Sequence, residues 1–240
     1  PHQPRSRGLG DVYKRQDLMI AEGVKLTTIE LDEGEKIPSD LNKFDAMFCM
    51  GGPMDTWMEK DYSWLIDEKK KIKEFVVELK KPYLGFCLGC QLLGEVVGGN
   101  VVKSKYPEIG MLNVNFSQNK KSDLLFSEFP EKITTLQWHS YEVQNLENNK
   151  NITLLASSPE TKYQIFKYQE HAYGIQFHIE VKDTTVGEWG CVPEYKSALE
   201  KQLGDGALEK FDQEAKANMQ QMNTFSTILY SKFKNEILKI

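Results

Sequence analysis

Between Pro82 and Gly99 the chain changes its hydrophobic period within a single residue, and this limits the possible folds more than any other stretch. Pro82–Phe86 (PYLGF) is an apolar run too short for a helix and reads as a strand buried on both faces. Leu88–Val97 follows at once with helical character and a Gly98-Gly99 stop. A buried strand that runs straight into a helix is half of a βαβ unit, and such units build parallel sheets covered by helices.

The flanking segments keep that rhythm. Val24–Leu31 (VKLTTIEL) is β-branched and alternating, so a strand is expected there. Phe44–Met50 (FDAMFCM) reads as another buried strand, closed by the turn Gly51-Gly52-Pro53. Tyr62–Leu79 spaces Leu65, Ile66, Ile72, Phe75, Val76 and Leu79 on one helical face and turns lysines outward. From Val101 to about Phe177 short strands separated by turns predict hairpins and an antiparallel flank. Beyond Val192 the chain is charged and helical, with Phe211, Met222, Phe225 and Leu229 among its apolar positions. One α/β domain over residues 17–240 is the economical organisation.

Composition removes several function classes. Twelve Phe, ten Tyr and four Trp in 240 residues supply a core and exclude whole-chain disorder. No apolar run reaches the ~18 residues of a membrane span. A net charge of −5 offers no broad basic footprint for nucleic acid. Four cysteines, at 49, 87, 90 and 191, are too few for a disulfide scaffold, and no secretory signal opens the chain. A cytoplasmic protein with no membrane and no nucleic-acid partner is expected. Residues 1–16 (PHQPRSRGLGDVYKRQ) carry Arg5, Arg7, Lys14 and Arg15 against Asp11 and show neither period. They read as a non-native tail.

The chemistry concentrates on Gly85-Phe86-Cys87-Leu88-Gly89-Cys90-Gln91. A nucleophile on a strand-to-helix turn needs little bulk two residues to either side, and Gly85 and Gly89 supply that. The helix start favours a thiolate at Cys87, and the Leu88 amide points toward the same spot. Cys87-x-x-Cys90 also fits a redox pair, and both thiols could be buried small hydrophobes.

Thiol acyl chemistry needs a base and a group to orient it. In Gln176-Phe177-His178-Ile179-Glu180 an extended backbone puts His178 and Glu180 on one face. His139 lacks a carboxylate at that spacing, so a structural role is preferred for it and for His171, while His2 falls in the tail. Gly51-Gly52-Pro53-Met54 lets bare backbone approach a ligand and offers a second oxyanion amide.

Taken together, Gly51–Met54, Gly85–Gln91, His139-Ser140-Tyr141 and Phe177–Glu180 resemble the class I (triad) glutamine amidotransferases, most closely stand-alone members related to the glutaminase domain of GMP synthetase. The resemblance implies a flavodoxin-like, mainly parallel sheet with helices on both faces. It implies Cys87 as nucleophile, His178 as base and acid, and Glu180 as the residue orienting His178. Gly52 and Leu88 would be the oxyanion donors, while Gly52, Pro53, Met54, Gln91, Ser140 and Tyr141 would surround the substrate. The reaction implied is hydrolysis of the glutamine side-chain amide through a glutamyl thioester, without metal or organic cofactor. The same three groups would serve a γ-glutamyl peptidase or hydrolase, and a catalytically silent regulatory module is a further alternative. Partners would be glutamine or a γ-glutamyl small molecule, and a separate ammonia-accepting synthetase subunit. Family members begin with a strand upstream of Asp17, where this chain has the tail. The sheet is therefore expected to start at Val24–Leu31, its first strand missing or replaced, and the chain to be aggregation-prone.

Overall fold

The computed structural model describes residues 19–240. The expectations for residues 1–16 lie outside the described residues. Among the described residues seven strands form one sheet in the order β1-β2-β7-β6-β5-β3-β4. They are β1 (Met47–Cys49), β2 (Tyr83–Phe86), β3 (Asn100–Phe116), β4 (Lys132–Gln144), β5 (Ile152–Ser157), β6 (Ile165–Tyr168) and β7 (Ala172–Ile175). β2 runs parallel to both β1 and β7. The remaining pairings are antiparallel, so the expected antiparallel flank is wider than the parallel part, which lies at one end of the sheet and carries the site. The long hairpin β3–β4 merges segments that the sequence shows as separate short runs.

Strand alternation divides the apolar side chains between two layers. Tyr83 of β2 and Ala172 of β7 face helices α1 (Trp64–Lys73) and α2 (Leu88–Val96), with Leu65, Ile72, Leu92 and Leu93. Leu84, Phe86, Tyr173 and Ile175 face the opposite layer, made by α3 (Thr185–Trp189), α4 (Pro193–Leu203) and α5 (Ala207–Lys232). There Phe211, Met222, Phe225 and Leu229 are buried, as the helical spacing requires. α1 continues as a π-helical turn over Glu74–Glu78, and α5 does so over Phe233–Leu238. The α/β architecture with helices on both faces is the one expected. Among the described helices none is long and apolar enough to cross a membrane.

One expected strand is absent. Val24–Ile29 is irregular, and the segment ends in a 3-10 turn at Leu31–Glu33. A β-branched alternating run becomes a strand only with a ladder partner, since an unpaired strand leaves its amides and carbonyls open. Among the described residues nothing pairs with the outer edge of β1, where the sheet begins. The Glu30 amide instead bonds the Glu35 carboxylate at 2.8 Å, which turns the chain away from extended pairing.

Candidate active site

Cys87 is the only residue between the carboxyl end of β2 and the first turn of α2. Its backbone has φ 49° and ψ −103°, a conformation that L-residues rarely adopt. The turn is fastened on both sides: the Cys87 amide donates to the Ile175 carbonyl at 2.8 Å, and the Gln91 amide donates to the Cys87 carbonyl at 3.0 Å. Both glycines are obligatory. A Cβ on Gly85 would lie 2.5 Å from the Gly89 carbonyl oxygen, and one on Gly89 would run into the Cys49 carbonyl. Sterics therefore explain the Gly-x-Cys-x-Gly spacing: the backbones of β1, β2 and α2 meet there.

His178 follows β7 and is held by a two-way bridge with Leu136 of β4, amide to carbonyl in each direction. Its Nδ1–H donates to Glu180 Oε1 at 2.6 Å, while Glu180 Oε2 accepts from the Ile179 amide at 2.9 Å. The carboxylate is thus fixed by its own backbone and fixes the ring. Burial works against a charge on His178, but the Glu180 carboxylate and the hydrogen bond to Cys87 outweigh it, and its pKa is pushed up to about 10. Trp189 of α3 packs edge-on against the ring at 4.7 Å between centroids. A Cβ built on Gly51 would stand 3.3 Å from both Cys87 Cβ and His178 Cε1, so a larger residue there would press on both. Cys87, His178 and Glu180 are thereby brought together.

The turn after β1 closes the other side. Gly52 lies against Leu88 and Met54, the latter buried. The Leu88 N–H is in the first turn of α2 and has no intrahelical acceptor. Thr56, fully buried, donates to Glu95 at 2.6 Å, and Lys69 bridges Glu95 and Glu59 at 2.8 and 2.9 Å, which anchors this loop to α1 and α2. Half-exposed Trp57 meets Tyr141 across the rim at 6.3 Å.

Gln91 is buried, and its Nε2 donates to the Tyr141 carbonyl and to Gln176 Oε1, each at 3.2 Å. Gln176, fully buried, directs its own Nε2 at the Cys87 sulfur at 3.7 Å. Sequence reasoning passed over Gln176, yet it sits two residues before His178, on the face the alternation argument assigns to His178 and Glu180. Cys90 has no exposure; burial first and the neighbouring Cys87 second push its thiol up, and all four cysteines are free. Cys90 therefore packs under β7, within reach of Gly174, and the redox pairing is set aside. His171 bonds the Val76 carbonyl at 2.9 Å. For His139 the sequence misses a partner: Glu108 of β3 pairs with it across the ladder, Oε2 to Nε2 at 3.4 Å. Among the described residues no group of three or more His, Cys, Asp or Glu side chains could hold a metal ion.

Comparisons with known proteins point to one family. The family described as glutamine amidotransferase class-I matches residues 15–189. A GMP synthase (glutamine-hydrolyzing) subunit of Saccharolobus solfataricus is 31% identical over 172 residues, covering 70% of this chain and 86% of that protein. The protein of the same description from Ignicoccus hospitalis is 35% identical over 151 residues, covering 62% of this chain and 74% of its own. A crystal structure of a glutamine amidotransferase from Thermotoga maritima superposes with a TM-score of 0.80 at 25% identity, covering 100% of this chain and 95% of that one.

Proposed function

The chain belongs to the class-I glutamine amidotransferase family, and on that premise we propose that it hydrolyses the side-chain amide of glutamine at Cys87. The observation that carries the reading is the line Glu180–His178–Cys87, with the thiol on a strained turn at a helix start. In this reading the Cys87 thiolate attacks the amide carbon. The oxygen of the tetrahedral intermediate is held by the amides of Gly52 and Leu88. His178 protonates the departing ammonia through Nε2, then takes a proton from the water that cleaves the glutamyl thioester. Glu180 keeps Nδ1 protonated, so that Nε2 faces the chemistry throughout. Gly52, Pro53, Met54, Gln91 and the backbone of Ser140 and Tyr141 surround the amino-acid end.

We further propose that the ammonia passes to a synthetase on a separate chain. This reading is supported by the relatives, which are themselves described as subunits of a GMP synthase. The test is a glutaminase assay run beside a panel of γ-glutamyl peptides. Glutamine should be turned over, Cys87→Ser should abolish turnover, and His178→Ala should lower it ~10²–10⁴-fold. A chain that cleaves γ-glutamyl peptides and spares glutamine would replace this reading with the peptidase alternative.

A further inference from the structure

Behind the substrate side of this site lies a buried polar cluster that the proposed chemistry does not use. Glu108 and His139 are 3% and 5% exposed, and Gln137, Gln164 and Gln176 are fully buried. Glu108 reaches His139 because of an irregularity in the hairpin: β3 takes five residues from Lys103 to Glu108 while β4 takes two from Tyr141 to His139. Such a bulge re-aims the side chains that follow it.

The proton positions follow from donor chemistry. His139 Nδ1 lies 2.9 Å from the Tyr141 carbonyl oxygen. A carbonyl only accepts, so Nδ1 carries a hydrogen. In a neutral ring Nε2 would then present a lone pair to the Glu108 carboxylate 3.4 Å away, a repulsive contact in a low-dielectric interior. The carboxylate also accepts from Gln164 Nε2 at 2.7 Å, and Gln164 is itself fixed by Gln137 at 2.9 Å. Burial pushes the Glu108 carboxyl up, yet the donors around it, His139 foremost, hold it below its ordinary value. A second hydrogen on Nε2 would turn that contact into an ion pair. His139 Nδ1–H donates to the Tyr141 carbonyl, the same oxygen that Gln91 holds at 3.2 Å.

We propose that Glu108 is a positioning residue for substrate binding: by holding His139 as a donor it fixes the Tyr141 carbonyl, and with it Gln91 and the backbone against which the amino-acid end of glutamine rests. This rests on the glutamine-hydrolysis reading for its substrate, though not for its proton assignment. Glu108 touches none of the reacting groups, so the step at Cys87 should proceed unchanged once substrate is bound.

The experiment compares Glu108→Ala and Glu108→Gln by steady-state glutaminase kinetics, with the imidazole ¹⁵N resonances of His139 recorded for the wild-type chain at pH 7. Glu108→Ala should raise KM ~10-fold or more with kcat within ~3-fold, the pattern of lost ground-state binding. Glu108→Gln, whose amide can donate to Nε2 and keep the hydrogen on Nδ1, should recover most of that loss. The wild-type ring should carry both protons. An unchanged KM in Glu108→Ala, a fall in kcat at constant KM, or a neutral His139 overturns the proposal. Should Glu108→Ala fail to fold, the wild-type and Glu108→Gln spectra still decide it: the ring should lose its Nε2 proton in the Gln variant and keep Nδ1–H. A wild-type chain inert toward glutamine would overturn the hydrolysis reading instead, and the spectra would still judge the pair.

Discussion

The charge on His178 makes folding stability depend on pH in a direction opposite to that of a carboxylate. Burial alone would lower its pKa, but the Glu180 carboxylate at 2.6 Å and the Cys87 sulfur prevail and hold it at about 10 against an ordinary 6.5. The folded state therefore binds this proton more tightly than the unfolded chain. The resulting stabilisation is complete below about pH 6.5, declines as the unfolded chain alone loses the proton, and is gone once the pH passes about 10. At about 1.4 kcal/mol per pH unit the full effect is about 5 kcal/mol, a large share of a domain's net stability. His178→Gln removes it. Urea unfolding of wild type and His178→Gln at pH 6, 7, 8 and 9 isolates the effect, because groups untouched by the substitution cancel in the difference. The wild-type advantage should shrink by roughly 3 kcal/mol between pH 7 and 9. Glu180→Gln should flatten the slope by removing the largest favourable contact. Parallel stability curves for wild type and His178→Gln over this range would show that the ring is neutral when folded, and would refute the ion-pair reasoning.

Three further outcomes follow from packing. Gly89→Ala should cost ~1–3 kcal/mol or prevent folding, since its Cβ meets the Cys49 backbone, which has no freedom to move aside; thermal unfolding measures it. Glu68, whose pKa burial raises and whose Oε2 has no partner, is destabilising when ionised, so Glu68→Gln should melt above wild type at pH 8, with the gap closing toward pH 4. Asp123, fully buried, pairs with Lys167 at 3.1 Å and accepts from the Leu125 and Phe126 amides, so Asp123→Ala should cost ~3–5 kcal/mol by urea titration.

What could be read in the sequence was what local chemistry determines. Glycine spacing around Cys87, the Gly51-Gly52-Pro53 turn and the His178–Glu180 alternation each encode a constraint that acts within a few residues, and each lies where the pattern puts it. Helical spacing located the buried face of α5 for the same reason. Val24–Leu31 did not become a strand because alternation states which face of a strand would be buried and does not determine its ladder pairing. Propensity cannot supply a ladder, and there the backbone bonds locally through Glu35.

The Glu108–His139 pair lies at the far end of that scale. Thirty-one residues separate the two, and their contact is set by where a hairpin slips register between Lys103 and Glu108. No carboxylate lies two residues from His139, and local spacing cannot reveal Glu108, since cross-strand partners depend on the turn and its bulges. Pro107, which cannot donate to a ladder, stands at the slip and was the one local hint. The same contrast separates the two histidines in kind. His178 takes its carboxylate from its own segment, so the pair forms wherever that segment is extended. His139 takes one from another strand, so that contact exists only once the hairpin has closed in the right register. A register slip by one residue would swing Glu108 to the opposite face and bury His139 unpaired. Selection of the register is therefore tied to the same buried Glu108–His139 contact that is proposed to hold the Tyr141 carbonyl in place.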